Sequence, residues 1–111
     1  MSCLFCSFAS GEIPVEKIAE NSGAFAINDI NPVAPTHILV IPKEHQENAV
    51  GTFHSDADGL LSIFTLVSEI VDAHQLTGYR TVFNTGASAG QSVFHTHLHL
   101  IAGRSLSWPP G

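Results

Sequence analysis

Residues 91–101 read QSVFHTHLHLI and place three of the chain's seven histidines, His95, His97 and His99, on alternate positions. Alternate side chains of a β-strand share one face, so a strand over 92–102 predicts a row of three imidazoles. The residues between them are then free to meet a covering helix on the other face. A solvated or tag-like histidine run would not alternate with apolar residues, so we expect a chemical role for this row.

Two kinds of chemistry fit three neighbouring imidazoles. With a distant third ligand such as His37, two of them can hold a catalytic metal that keeps one position open for water. Alternatively, one neutral imidazole attacks phosphorus while a fixed acceptor selects its tautomer and the neighbouring histidines move the proton. The small-residue loop over 84–92, NTGASAGQS, favours phosphoryl chemistry, because its backbone N–H groups can approach an anion and Ser92 adds a hydroxyl.

Cys3 and Cys6 have the two-residue separation of a metal-binding pair. Two histidines would complete a tetrahedral zinc site in which the thiolates balance the charge of the metal. The ordinary alternative is a pair of buried free thiols, since cysteine often packs as a small apolar residue.

The composition narrows the class of protein. The chain has 111 residues, 4 Lys+Arg, 10 Asp+Glu and a formal net charge of −6, so nucleic acid polymers and anionic membrane surfaces are not expected partners. The length suits one domain over residues 1–111, and no apolar run is long enough for a membrane span. No Lys or Arg precedes Lys17, which argues against a secretion signal and predicts a cytoplasmic protein with reduced thiols.

The first half of the chain predicts short elements separated by turn residues. We expect a short helix over 2–10, a hairpin formed by 15–19 and 24–28 around Asn21-Ser22-Gly23, and a doubly buried strand THILVI between Pro35 and Pro42. His37 lies at the start of that strand.

The second half predicts one long helix followed by strands. Apolar residues recur at three- and four-residue steps over 57–76, and Gly78 is expected to end this helix. His74 falls on its apolar stripe and His54 near its start, so both are read as structural. Strands over 79–84 and 92–102 complete an α+β domain with an antiparallel sheet of about five strands, one long helix and a short N-terminal helix.

Several ordered motifs give the chain a specific resemblance. QSVFHTHLHLIAGR, with DINPVAPTHILVIPKEH upstream, GYRTVFN between and WPPG at the end, resembles the histidine triad family, specifically its nucleoside phosphoramidase branch. The family motif is His-x-His-x-His followed by two apolar residues, with x apolar, and residues 95–101 match it apart from Thr96. Where the family usually has glycine pairs, this chain has Ala89-Gly90 and Ala102-Gly103.

The resemblance implies a homodimer with one purine nucleotide site per subunit. In that family the histidine matching His97 attacks the α-phosphorus of a nucleoside 5′-phosphoramidate and forms a nucleotidyl-histidine, which water resolves to the monophosphate. The resemblance makes His99 and His37 its assistants, places Ser92 near the leaving group, and calls for no catalytic cofactor. Two alternatives are a dinucleoside polyphosphate hydrolase with the same nucleophile and a nucleotide-binding protein without turnover.

The resemblance also assigns binding and metal residues. Asp29 would hold the ribose hydroxyls, although it could also be only a turn former, and Phe5, Phe8, Ile27 and Ile30 would line the purine slot. Contacts to the phosphate or ribose are expected from Asn84, Gly90 and Gln91, with capping of the loop backbone as the alternative for the two amides. Some bacterial members bind structural zinc through residues matching Cys3, Cys6, His45 and His95, and Trp108 would reach toward the partner's site.

Overall fold

The structure is a computed structural model that describes residues 3–111, so Met1 and Ser2 of the predicted helix lie outside it. Three α-helices and five strands follow in chain order: α1 (Leu4–Ser10), β1 (Ala19–Glu20), β2 (Ala24–Asn28), β3 (Thr36–Pro42), α2 (Ala49–Ser55), α3 (Ala57–Ala73), β4 (Tyr79–Val82) and β5 (Leu98–Ala102). The strands form one antiparallel sheet in the order β1-β2-β3-β5-β4. The predicted α+β class with five antiparallel strands is confirmed.

Residue parity divides the sheet into two faces. Even-numbered residues of β2, β3 and β5, such as Ala26, Val40 and Leu100, pack against α3 in the main core. Odd-numbered residues Phe25, Ile27, Leu39 and Ile41 form a second cluster with Phe5 of α1. In the strand register Leu39 lies opposite both Ile27 and His99, so His99 belongs to the face that α1 covers.

The last strand is shorter than predicted, and this corrects the expected histidine row. β5 begins at Leu98, so His99 is its one triad member, while His95 and His97 precede the strand. The partner strand β3 ends at Pro42, and the N–H of Thr96 donates instead to the carbonyl of Gln46 at 2.9 Å. The alternation of sides nevertheless continues upstream, because the Thr96 side chain turns toward α2.

Other element boundaries also differ from expectation. Helix α2 was not predicted; it is capped by Asn48, whose side chain accepts from the N–H of Gly51 at 2.9 Å, and it contains His54. Helix α3 ends at Ala73, five residues before Gly78. Two residues after its end, Gln75 adopts a positive φ of 54°. His74 is its exposed C-cap residue and not a packing residue. Strand β1 contains only Ala19 of the predicted 15–19 strand, together with the next residue, Glu20.

The one departure from the apolar motif, Thr96, has a buried partner. Its hydroxyl lies 2.7 Å from the hydroxyl of Thr52, and both residues are at most 1% exposed. The Thr52 hydroxyl is also 3.2 Å from the carbonyl of Asn48, which gives it a second acceptor. Thr96 therefore connects the segment before β5 to α2 by a hydrogen bond, at a position where the family pattern has an apolar residue.

We predict that Thr96→Val lowers the free energy of unfolding by about 1 kcal/mol, because the Thr52 hydroxyl loses one partner in a dry site. Combining it with Thr52→Val recovers part of that loss, since no buried hydroxyl then remains without its mate. Urea unfolding of the four proteins of this double-mutant cycle measures the coupling. Thr65→Val, an exposed threonine on α3, is the matched control. Strict additivity of the two changes would contradict the prediction.

Candidate functional site

Three histidines meet on the face of the sheet that α1 covers. The Nε2 of His37 lies 2.9 Å from the Nδ1 of His99, and the rings of His97 and His99 have centroids 5.0 Å apart. His37 is at the start of β3 and His99 near the start of β5, which pairs with it in antiparallel register. The predicted association of His97, His99 and His37 is therefore present, although it depends on two strands and a preceding segment and not on one strand face.

Backbone groups fix the tautomers of these rings. The N–H of Val33 donates to the Nδ1 of His37 at 3.1 Å, so a neutral His37 carries its proton on Nε2 and donates it to His99. The Nδ1 of His97 lies 2.8 Å from the carbonyl oxygen of His95, which can only accept. A neutral His97 therefore has its N–H at Nδ1 and an unprotonated Nε2. In this series of hydrogen bonds the Nδ1 of His99 accepts from His37, so the Nε2 of His99 carries a proton and is a donor.

Two residues to which the sequence assigned no role in the site, Arg104 and Gly103, support this arrangement. The loop after β2 is held by the guanidinium of Arg104, whose Nε donates to the carbonyl of Val33 at 2.8 Å. Gly103, with φ of 97°, packs so closely against Pro35 that an added Cβ would lie 2.9 Å from the proline ring. The Val33 contact has no side-chain signature, but the glycine and arginine after the triad were visible in the motif.

Asp29 lies at the mouth of the same site. One carboxylate oxygen accepts from the N–H of Asn31 at 2.8 Å, and the other is 3.4 Å from the Nε2 of His37. The residue is thus a turn former, as one alternative held, and it also lines the cavity described below. Its side chain is 18% exposed, which leaves lone pairs free to accept from a ligand.

The environment keeps His99 uncharged. Burial, the largest cause, together with the neighbouring His97 and His37, lowers the pKa of His99 to about 4, and the opposing effect of Asp29 is smaller. Burial likewise lowers the pKa of His95. At neutral pH His99 therefore accepts one hydrogen bond from His37 and keeps its own N–H to donate.

We predict that folding stability falls as the pH drops from about 6.5 to about 4. In this window His99 is protonated in the unfolded chain, where its pKa is near 6.5, but stays neutral in the folded protein. The slope for one proton is at most about 1.4 kcal/mol per pH unit, and the remaining solvent contact of the half-buried ring reduces it. Denaturant unfolding between pH 4 and 7 measures the effect. His99→Gln should flatten the curve, whereas His74→Gln, at an exposed ring, should leave it unchanged.

A cavity of about 310 Å³, here called the triad cavity, opens beside these rings. Its wall contains His97 and His99 together with Asp29 and the exposed Ser92. All four predicted purine-slot residues also line it: Phe5, Phe8, Ile27 and Ile30. Phe5 and Ile27 are buried, while Ile30 is 92% exposed and forms the outer lip. The volume is within the range of small-molecule sites.

The loop over 84–92 is organised differently from the expected anion cradle. The N–H groups of Gly86, Ala89, Gly90 and Gln91 all donate within the loop. The Gln91 amide is 4% exposed and donates to the carbonyls of Glu47 and Val93, which is the capping alternative. Neither Asn84, Gly90 nor Gln91 belongs to the wall of the triad cavity, so their contact with a phosphate stays a prediction. Ser92 is exposed and available.

The alanines that replace family glycines do not strain this loop. Gly90 and Gly103 adopt φ values of 95° and 97°, which L side chains rarely adopt. Ala89 and Ala102, by contrast, are absent from the positive-φ residues of the described chain. Each pair therefore keeps its glycine at the position where the backbone requires one, and Ala89 is exposed.

The four predicted zinc ligands, Cys3, Cys6, His45 and His95, lie together in the structure. The Nδ1 of His95 lies 3.4 Å from the Sγ of Cys3, 3.5 Å from the Sγ of Cys6 and 3.1 Å from the Nδ1 of His45. Zn–N bonds of about 2.0 Å and Zn–S bonds of about 2.3 Å place tetrahedral ligands about 3.3 Å (N···N) and about 3.5 Å (N···S) apart. The measured distances are close to these values and all four donor atoms lie within 4.8 Å of one another, so the cluster fits one zinc ion.

Surrounding groups prepare this cluster for a metal. The Nε2 of His95 donates to the carbonyl of Pro42 at 2.7 Å, which leaves the Nδ1 lone pair directed at the cluster. Burial and the adjacent Cys3 raise the pKa of Cys6, so a thiolate at this position needs a nearby cation. Two thiolates and one Zn²⁺ would together be electrically neutral.

The four predicted zinc ligands, called the metal cluster below, and the three-histidine site are positioned by the same contacts. The carbonyl of His95 accepts the N–H of His97, while the Phe5 ring, which lies between the two cysteines in sequence, packs edge-on against both imidazoles at 5.8 and 5.2 Å. Phe5 is the buried residue of α1. The position of α1 therefore depends on this side chain and on the cysteine cluster.

The four fixed cations lie elsewhere. Lys17 and Lys43 both contact Glu20, Arg80 donates to the carbonyl of Ser107, and Arg104 binds the loop of Val33. Among residues 3–111, the wall of the triad cavity contains no Lys or Arg. An anion in this cavity would therefore meet imidazoles and the Ser92 hydroxyl and not a cationic patch.

The fold and site define an α+β protein whose sheet presents hydrogen-bonded histidines to a small-molecule cavity. The HIT domain model matches residues 10–106, and the chain belongs to this family. A HIT family hydrolase from Legionella pneumophila is similar, with 43% identity and a TM-score of 0.92 over 99% of this chain and 100% of that chain.

Two further relatives are informative about binding. The 14 kDa zinc-binding protein of Zea mays is 38% identical over 112 residues, which cover 97% of this chain and 87% of its own. A histidine triad nucleotide-binding protein from Candida albicans shares 32% identity with a TM-score of 0.83, covering 97% of this chain and 83% of that chain.

Proposed function

We propose that this chain hydrolyses purine nucleoside 5′-phosphoramidates to the nucleoside monophosphate and the free amine, through a nucleotidyl intermediate on His97. The observation that carries the proposal is the hydrogen bond from the Nδ1 of His97 to the carbonyl of His95, which leaves the Nε2 lone pair free. The family resemblance of the phosphoramidase branch and the hydrolase and nucleotide-binding relatives support the same chemistry.

In the first half-reaction, the Nε2 of His97 forms a bond to the α-phosphorus as the P–N bond breaks. The imidazole gains positive charge, which the carbonyl oxygen of His95 stabilises through the Nδ1–H. The amine leaves with a proton, and we assign the donation of that proton to the hydroxyl of Ser92, which lines the cavity. The Nε2–H of His99, ordered by the bond from His37, donates to a phosphoryl oxygen.

In the second half-reaction, water attacks the phosphorus and the bond to His97 breaks. One proton of that water replaces the one carried away by the amine, so the sum is phosphoramidate plus water giving monophosphate plus amine. The ribose would bind Asp29 through its hydroxyls, and the purine would lie between Phe5, Phe8 and Ile27. His99, which its lowered pKa keeps neutral, can donate its Nε2–H in both steps.

The tautomer of His37 argues against a catalytic metal held by Asp29, His37 and His99. These three groups are close enough to one another for a metal ion. However, the Nδ1 of His37 already accepts the N–H of Val33, so its Nε2 carries the proton and has no lone pair for a metal. Hydrogen-bond relay is the role that this geometry favours.

We assign zinc a structural role at Cys3, Cys6, His45 and His95, which fit it by distance and charge. When bound, it would connect α1 to the segment before β5. The zinc-binding relative from maize supports this assignment. A cytoplasmic location, in which thiols stay reduced, is part of the proposal. No helix of residues 3–111 has the length and apolar character needed to cross a membrane.

We also propose a homodimer formed at the edge strand β4. Within residues 3–111 this strand pairs with β5 on one side, so its other edge offers free backbone groups. Tyr79 of β4 and Phe64 of α3 are 46% and 48% exposed, and both line a groove between the helix and the strand. Light scattering should give twice the chain mass of 11.8 kDa, and Tyr79→Glu should shift it toward the monomer.

The decisive experiment compares adenosine 5′-phosphoramidate with a diadenosine polyphosphate and looks for a covalent intermediate. We expect a higher kcat/KM for the phosphoramidate and, after rapid acid-free denaturation, protein carrying the mass of one nucleotidyl group. Greater turnover of the dinucleotide would overturn the substrate assignment. Binding of AMP without turnover or adduct would make the chain a nucleotide-binding protein.

A further inference from the structure

A second cavity of about 600 Å³ adjoins the triad cavity and has no role in the chemistry above. The two share three wall residues, Leu4, Ser92 and Val93. Phe94 and three members of the metal cluster complete its wall. We call it the Leu4–Phe94 cavity.

The position of the shared wall indicates what enters this cavity. His97 lines the triad cavity and not the second one, whereas Ser92 lines both. In phosphoryl transfer the attacking and leaving atoms lie roughly in line across the phosphorus. Attack from His97 inside the triad cavity therefore directs the leaving amine outward past Ser92, into the adjoining space.

Size supports the same conclusion. The triad cavity has about 310 Å³, at the lower limit for small-molecule sites, and the base, ribose and phosphate already use its described wall. A substituent on the phosphoramidate nitrogen must then extend beyond it. The adjoining cavity provides about twice that volume on the side of the shared rim.

The lining determines which substituents are favoured. Leu4 and Phe94 are 47% and 44% exposed, so both retain apolar surface that a ligand would remove from water. Among residues 3–111, no Asp, Glu, Lys or Arg lines the cavity, and a zinc-loaded cluster of two thiolates is neutral. A cationic substituent would therefore find no counter-charge here.

We propose that the Leu4–Phe94 cavity binds the amine portion of the substrate and selects phosphoramidates whose amine carries an uncharged aromatic or aliphatic group. This inference rests on the proposed function and specifies its substrate class. Phe94 determines specificity without touching the reacting atoms, since it lines this cavity alone.

Three adenosine phosphoramidates test the inference: the unsubstituted compound, its N-benzyl derivative, and an N-[4-(aminomethyl)benzyl] derivative that adds one positive charge. We expect kcat/KM for the wild-type protein to rank benzyl above both others. Phe94→Ala should lower the benzyl-to-unsubstituted ratio of kcat/KM roughly 10-fold, the scale of losing one or two methylene contacts. Phe53→Ala, at a phenylalanine 59% exposed on α2, should leave the ratio unchanged.

A binding measurement supplies a readout without turnover. In a His97→Asn background, calorimetry should show tighter binding of the benzyl compound than of the unsubstituted one, with the difference lost on Phe94→Ala. Equal ratios in wild type and Phe94→Ala, or preference for the charged derivative, would overturn the inference while AMP is still released from all three compounds. Release of AMP from none of them would instead overturn the proposed function.

Discussion

Replacing His97 should abolish turnover and covalent labelling together. Removing the nucleophile of a covalent mechanism is expected to lower kcat/KM for adenosine phosphoramidate by about 10⁴-fold or more, equivalent to about 5.5 kcal/mol of lost transition-state stabilisation. His97→Asn is the better variant, because its side-chain N–H can replace the Nδ1–H that donates to the carbonyl of His95. His97→Ala leaves that buried carbonyl without its donor and a void beside Phe5.

Steady-state rates and intact-protein mass spectrometry measure the two effects of this change. The control is His54→Asn, at an exposed histidine on α2 outside the cavity, which should retain both activity and labelling. Thermal unfolding of each variant separates lost chemistry from lost fold. A His97→Asn protein that folds normally and still forms the nucleotidyl adduct would falsify the assignment of the nucleophile.

Removing zinc should weaken the attachment of α1 more than the sheet. A ligand present at about 100 times its dissociation constant stabilises the folded state by about 2.7 kcal/mol, and tighter binding adds to this. Chelation of the loaded protein should therefore lower the unfolding midpoint by about 10 °C or more. Because Phe5 is the buried side chain of α1, amide exchange should accelerate in Leu4–Ser10 while α3 stays protected.

The same change should alter the triad cavity, which is the proposed nucleotide site. Phe5 and Phe8 belong to the wall of the triad cavity, so release of α1 should weaken AMP binding even though His97 and His99 stay in the sheet region. Cys6→Ser should reproduce the effect of the chelator and should not recover when zinc is added, whereas the wild type should recover. Ser7→Ala, on the same helix outside the cluster, is the control. Full thermal stability of a metal-free sample with an ordered α1 would contradict this prediction.

The turn and strand signals that proved accurate are local in origin. Asn21 accepts from the N–H groups of Gly23 and Ala24, as the Asn-Ser-Gly signal predicted, and β3 begins directly after Pro35 and ends at Pro42. Both effects depend on the intrinsic geometry of a few residues. The predictions that were less accurate depend on distant partners. Strand β5 begins only where β3 is available to pair, and the side-chain amide of Gln91 donates to the carbonyl of Glu47.

By itself, the sequence determined the α+β class, the composition of the histidine and cysteine sets and, through its ordered motifs, the family. These follow from alternation, spacing and residue type, which are properties of the chain alone. The tertiary structure decided which nitrogen of each histidine is free, because the deciding partners are the N–H of Val33 and the carbonyls of His95 and Pro42. Every residue offers the same backbone groups, so only the folded path of the chain determines which of them meets an imidazole.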